Sequence, residues 1–233
     1  MRIHLVSTDP AQLPCRTRVE PVYNARLRQR ADPLHGSLEG DGMTEGSGRE
    51  TTYSTGARHF HWWTVALVLI QVPLGLYMVY RGQATKFDAL TNTLYSSHKT
   101  LGLVILILVI ARLAYRLSHG APADEPTIEW WQKAASHATH WLLYLLLILV
   151  PIVGWLGISL YGARDVFGLV SIPPLASPNQ AAAEGVLLLH RYLAFLTVVL
   201  VGMHVAGALF HYFIRKDGVL ERMLPSAGRR GGG

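Results

Sequence analysis

Four long apolar stretches separated by polar loops organise the chain. They cover about residues 59–80, 95–117, 136–160 and 183–214. A helix needs about 20 apolar residues to cross a bilayer, and each stretch is close to that length or longer. In the second stretch only Leu101–Ala111 is free of charge, so its flanking Lys and Arg side chains must reach the two membrane surfaces. The pattern predicts an all-α membrane protein, a four-transmembrane-helix up-and-down bundle.

Composition supports this prediction and excludes several classes of protein. Half of the 233 residues are hydrophobic and only 15% are charged, which excludes a strongly charged or disordered protein. Cys15 is the sole cysteine, so one chain can form neither a disulfide framework nor a thiolate metal cluster. The net charge of +6 does not require nucleic acid, because Lys and Arg gather at the cytoplasmic ends of membrane helices. Four spans put both termini on one side, and the positive residues favour the cytoplasm.

The regions outside the four stretches have a different character. Residues 1–54 are rich in Pro, Gly and charged residues, and we expect a disordered N-terminal extension there. Residues 1–42 are either a true extension or the result of a mis-assigned start, since the sequence from Met43 would be a plausible beginning. Residues 55–217 then form the membrane domain, and residues 218–233 form a cytoplasmic tail.

The fourth stretch carries histidines within a segment long enough to cross the membrane. It contains LLLHRYLAFLTVVLVGMHVAGALFHYF, with His190 and His204 separated by fourteen positions. Fourteen residues at about 100° each place both imidazoles on one helix face, offset by about 40° and about 21 Å apart along the axis. Ionisable side chains inside a membrane helix are costly and indicate function. This geometry favours two metal centres at different depths.

Two further histidines match these depths on other helices. His61 begins the first stretch, on the same side as His204, and His98 begins the second, on the same side as His190. Two imidazoles that face each other across a bundle core are typical of bis-histidine haem b ligation. The sequence therefore predicts two haem b groups, with His61 and His204 on the inner iron and His98 and His190 on the outer iron.

Gly75 is a candidate contact of the outer haem. It follows His61 by fourteen positions, so it shares a face with His61 at the depth of the outer pair. The absence of a side chain there would leave room for the porphyrin. The alternative is that Gly75 only serves helix packing, as glycines in membrane helices often do.

Four cations lie on the outer side, near the predicted outer haem. They are Arg81, Lys99, Arg164 and Arg191. They can flank helices, pair with haem propionates, or form a positive funnel that steers an anionic substrate or holds a polar carbonyl. These cations are therefore the candidates for an outer substrate site.

The histidine pattern resembles a known family. The motifs are HWW at His61, SSHK at His98, SHATHWLLYLLLILVPIVGW in the third stretch and the two-histidine fourth stretch. Together they resemble the bacterial cytochrome b561 family over about residues 55–225. The resemblance implies four helices, two haem b groups, cytoplasmic termini in the bacterial inner membrane, and ligands at the four histidines already paired by depth.

The remaining histidines near the membrane have other expected roles. The resemblance implies that His137 and His140 are not iron ligands, and we expect structural use or contact with a propionate or quinone. His211 shares a face with His204 and is its main rival as ligand, whereas His59 points away from His61 and is expected at the interface.

The expected function is electron transfer across the bilayer. The resemblance implies exchange between the pool of ubiquinone or another quinone and an outer partner, either superoxide or a periplasmic redox protein. Superoxide oxidation with ubiquinone reduction is one candidate reaction. The alternatives are a haem-bearing anchor subunit of a hydrogenase or dehydrogenase complex, and a non-redox transporter or assembly factor.

Overall fold

A computed structural model of the chain describes residues 52–224. It contains four long helices: α1 (Thr55–Thr85), α2 (Ala89–His119), α3 (Trp130–Tyr161) and α4 (Gln180–Phe210). All four are long and apolar enough to cross a membrane. The predicted fold class, a four-helix membrane bundle, is confirmed. The predicted extension, apart from residues 52–54, and the last nine residues of the predicted tail lie outside the described residues.

The first three helices extend beyond both ends of the apolar stretches that predicted them, and α4 begins three residues before its stretch but ends at Phe210, where a π-helical turn follows. Capping residues rather than charges set where the helices begin. The helices begin at polar side chains that accept hydrogen bonds from the free N–H groups of the first turn. These residues are Ser54, Asp88, Glu129 and Asn179. Arg58 and Arg81, which bound the first stretch in the sequence, therefore lie inside α1.

Asp88 holds the short connection between α1 and α2. Its carboxylate accepts hydrogen bonds from the hydroxyl and N–H of Thr91, and Arg81 donates to it at 2.6 Å. The bonds from Thr91, reinforced by Arg81, lower the pKa of Asp88 to about 2.

The connection between α3 and α4 contains a small hairpin that the sequence did not predict. Strands β1 (Asp165–Val166) and β2 (Val170–Ser171) pair antiparallel. The hairpin is tied to α2, because Ser96 Oγ accepts a hydrogen bond from Phe167 N at 3.0 Å. It therefore lies over the outer end of the bundle.

Packing is tightest between helices that follow each other in the chain, α1 with α2, α2 with α3, and α3 with α4. A small core forms around Ile105, Val109 and Tyr144. Many large apolar side chains, such as Leu69 and Ile107, are exposed by more than half, as expected for surfaces that face lipid. The interior of the outer half is instead a cavity of about 1550 Å³.

Past α4 the chain makes one π-helical turn, His211–Arg215, and then folds back across the bundle end. Trp62 Nε1 donates to Met223 O at 2.9 Å, and Arg58 donates to Leu224 O at 3.1 Å. These bonds attach the segment after α4 to the beginning of α1.

Candidate cofactor site

The four predicted ligands lie in two facing pairs. The inner pair, His61 of α1 and His204 of α4, lies at the bundle end where α1 begins and α4 ends. The outer pair, His98 of α2 and His190 of α4, lies toward the other end. The ring centres are 6.2 Å apart in the inner pair and 6.3 Å apart in the outer pair. All four side chains are half-buried.

The separation within each pair suits one metal ion between two imidazoles. Two metal–nitrogen bonds of about 2 Å, plus about 1 Å from each nitrogen to its ring centre, give about 6 Å. The observed separations match this sum. Residues 52–224 contain no group of three or more metal-ligating side chains, and each histidine pair offers two imidazole nitrogens. Two such axial ligands suit a haem iron, whose equatorial positions the porphyrin fills.

A glycine lies against the imidazole of each outer histidine and lets the ring pack directly on the backbone of a neighbouring helix. A Cβ on Gly75 would lie 2.8 Å from Cε1 of His98, and a Cβ on Gly154 would lie 2.9 Å from Cε1 of His190. Either distance is shorter than carbon atoms tolerate. The two glycines therefore form a cradle for the outer imidazoles. Gly75 was expected to leave room for the porphyrin. In the structure it leaves room for the imidazole of His98.

The second ring nitrogen is held differently in the two outer histidines. His190 donates from Nδ1 to Val150 O at 2.9 Å, which orients the ring and leaves Nε2 for a metal. His98 Nδ1 and Gln71 Oε1 are buried and have no hydrogen-bond partner among the described residues. Gln71 Nε2 lies 3.3 Å from His98 Nε2 and donates to His98 O at 3.0 Å. The cradle, the donor pair and the unsatisfied polar atoms fit a haem at the outer pair.

The inner histidines are backed by polar side chains. Arg112 Nη2 lies 3.1 Å from Nδ1 of His61. The ring of His140 lies 5.2 Å from that of His204 in an edge-to-face arrangement. Both partners are half-buried. The inner pair therefore has the same separation as the outer pair but a different chemical environment.

A spacing of fourteen residues explains which side chains meet in these two layers. His98 and Arg112 on α2 repeat the spacing of His61 and Gly75 on α1. His140 and Gly154 on α3 repeat it again. Each helix thus gives one residue to each layer. Gly154 and Arg112 were missed as site residues, although this spacing could have identified both.

The four outer cations are not equivalent. Arg81 is paired with Asp88, and Arg164 donates to Ile172 O at 2.9 Å. Lys99 lines the large cavity, but its ammonium group donates to the carbonyl oxygens of Ala163 and Asp165. Three of the four cations are therefore engaged by nearby acceptors.

Arg191 is the exception among the outer cations. It lines the cavity, is exposed, and has its guanidinium carbon 5.8 Å from the centre of the Phe195 ring. Among residues 52–224, no carboxylate forms an ion pair with it. Arg191 is thus the cation best placed to meet an anion that enters the cavity.

The remaining histidines near the predicted ligands lie in different surroundings. His211 Nδ1 lies 2.5 Å from the buried carboxylate of Asp217, so this rival of His204 is already engaged. His137 Nε2 is exposed and lies 3.2 Å from Asp124, and His59 is exposed. His140 is the one additional histidine in contact with the predicted ligands.

Comparison with known proteins agrees with this architecture. Residues 52–226 match the family described as prokaryotic cytochrome b561. The chain is 33% identical over 166 residues to cytochrome b561 homolog 2 of Escherichia coli (strain K12), covering 71% of this chain and 87% of that protein. It is 26% identical to cytochrome b561 homolog 1 of the same organism, covering 72% of this chain and 93% of that protein.

A third relative has a name that states an activity. The chain is 31% identical over 129 residues to the probable superoxide oxidase CybB of Yersinia pestis, covering 55% of this chain and 73% of that protein. The family match covers all four helices and both histidine pairs. The chain therefore belongs to the prokaryotic cytochrome b561 family and is a multi-pass, haem b-type membrane electron carrier.

Proposed function

We propose that the chain binds two haem b groups and carries electrons across the bacterial inner membrane between the quinone pool and an outer partner. The observation that carries the proposal is the pair of nearly equal imidazole separations, 6.2 and 6.3 Å, at two depths along α4. In this proposal both termini are cytoplasmic, in keeping with the positive residues that flank the inner end.

The four histidines hold the two groups. His61 and His204 would hold the inner group, and His98 and His190 would hold the outer group. Haem b, when bound, supplies reversible one-electron chemistry at its iron. The protein holds the two sites about 21 Å apart along α4, a distance set by fourteen residues of helix.

Superoxide is the proposed outer electron donor and ubiquinone the proposed acceptor. The relative from Yersinia pestis is named a probable superoxide oxidase. Arg191 is an exposed cation on the cavity beside the outer pair, and a positive side chain at a cavity entrance attracts small anions.

The first experiment is to measure haem b per polypeptide in the detergent-purified protein. We expect two haem b per chain and a low-spin bis-histidine spectrum. One haem, or none in cells with adequate haem supply, would contradict the proposal of two sites. Reduction of the haems by superoxide, followed by reduction of added ubiquinone, tests the proposed reaction.

Arg191 allows a sharper test of the substrate. R191E should slow haem reduction by superoxide and leave reduction by the neutral donor duroquinol unchanged. R164E is the matched control, because Arg164 is bonded to the Ile172 carbonyl. Equal superoxide rates in the two variants would contradict the role given to Arg191. Activity that requires co-purified subunits would favour the anchor-subunit alternative.

A further inference from the structure

The residues that directly contact the two histidine pairs differ in charge. The outer imidazoles contact the glycine positions 75 and 154, which add no charge. The inner layer instead contains a guanidinium group, that of Arg112, whose Nη2 lies 3.1 Å from His61 Nδ1. Arginine stays protonated in proteins, so this is a permanent positive charge.

The charge of Arg112 has no carboxylate partner within the described part of the chain. The five ion pairs among residues 52–224 do not include it. Its other close neighbour is Tyr144, whose ring centre lies 5.2 Å from the guanidinium carbon. Inside the membrane a charge is poorly screened, so it acts strongly on nearby groups.

A positive charge beside an axial ligand changes the balance between the two iron oxidation states. The ferric site carries one more positive charge than the ferrous site, so a neighbouring cation disfavours the ferric form. Groups that contact a metal's ligands, and the charge around the site, set the reduction potential of a bound metal. The outer pair has no equivalent cation in contact with its imidazoles among the described residues.

We propose that Arg112 is a positioning residue that raises the reduction potential of the inner haem above that of the outer haem. The difference makes electron transfer from the outer to the inner site favourable. Arg112 acts through the fixed positive charge that its guanidinium places 3.1 Å from His61 Nδ1. The inference rests on the proposed function, because it requires two haems.

The test is a redox titration of the purified holoprotein, with the two haems resolved as separate one-electron waves. The H98A variant, which should lose the outer haem, identifies the wave of the inner haem. We expect R112L to lower the midpoint potential of the inner wave and leave the outer wave in place. R112K should restore most of the potential, because it keeps the charge.

Arg116 provides the matched control on the same helix. Its guanidinium carbon lies 5.8 Å from the Trp141 ring centre and 5.9 Å from that of Tyr144. R116L removes the same charge one turn further along α2, so it should shift the inner potential less than R112L. Equal shifts in R112L and R116L would show that overall charge, rather than the contact with His61, is responsible, and would overturn the inference.

Haem loss is a separate outcome and does not end the test. If R112L fails to retain the inner haem, R112Q and R112K are compared instead. A lower inner potential in R112Q than in R112K supports the inference, and equal potentials overturn it. Two waves in the wild-type protein with no shift in any Arg112 variant would defeat only this inference. A wild-type protein without two haems would defeat the proposed function itself.

Discussion

The cradle at Gly154 provides a sharp test of the outer site. Replacing Gly154 by alanine puts a Cβ 2.9 Å from Cε1 and 3.0 Å from Nδ1 of His190. Ordinary contacts are about 3.5–4.0 Å, so the ring must retreat by about 0.6 Å or more. The His190 to Val150 O hydrogen bond, 2.9 Å long, also joins this ring to α3. The retreat that relieves the clash therefore stretches the bond that orients the ligand.

The magnitude follows from these two costs. Overpacking costs about 1–3 kcal/mol, and weakening one hydrogen bond costs about 0.5–1.5 kcal/mol. A combined cost of about 1.5–4.5 kcal/mol corresponds to an outer haem bound about 10- to 1,600-fold more weakly. The inner haem should be retained, because Gly154 contacts only the outer pair among the predicted ligands.

Three measurements test the weaker binding of the outer haem. They are haem content, the low-spin electron paramagnetic resonance signals, and the rate of haem transfer to an excess of apomyoglobin. Gly202→Ala is the matched control, since a Cβ there meets no atom within 4 Å. We expect G202A to match the wild-type protein and G154A to release one haem faster. Identical haem content, spectra and release rates in the two variants would refute the proposed cradle.

Three further predictions concern other parts of the molecule. H204A should lose the inner haem and H98A the outer haem, and either variant with two low-spin bis-histidine haems would show that the pairing is wrong. Q71L should shift the outer midpoint potential and leave the inner one in place, because Gln71 contacts His98; an unchanged redox titration would contradict this. Folding lowers the pKa of Asp88 from 3.8 to about 2, so its ionised carboxylate stabilises the fold at pH values above 3.8. This stabilisation is lost as the pH falls through about 2. D88N should therefore lower the melting temperature at pH 7 and flatten its decrease between pH 4 and pH 2; a circular dichroism melting series identical to that of the wild-type protein would contradict this.

Hydrophobic length and histidine spacing were sufficient to predict the fold and the two layers. The bilayer sets the length of an apolar helix, and the helical repeat sets which residues share a face, so both can be worked out from sequence. The helix ends were predicted less well. Arg58 and Arg81 look like boundaries by charge, yet the caps at Ser54 and Asp88 lie further out. A charged side chain at the end of a membrane helix can continue the helix while its head group reaches the interface.

The roles of the cations could not be read from the sequence, because they depend on loop geometry and on contacts between helices. Lys99 and Arg164 appeared available for an anion, but backbone carbonyls near the hairpin accept their hydrogen bonds. Arg112 was expected to extend to the membrane surface. It turns instead toward His61, a contact that requires the relative positions of α1 and α2.

The two ends of the bundle differ in a way that bears on where electrons enter. At the outer end the histidine pair borders a cavity of about 1550 Å³. At the inner end the segment after α4 crosses the beginning of α1, with Trp62 and Arg58 bonded to carbonyl oxygens of Met223 and Leu224. Arg215, at the end of the π-helical turn, donates to Thr127 O in the α2–α3 connection. The outer pair therefore borders an open cavity, whereas the segment after α4 crosses the end of the bundle nearest the inner pair. In the proposed orientation, the open cavity beside the outer pair suits electron entry there, and the proposed effect of Arg112 would draw those electrons toward the inner pair.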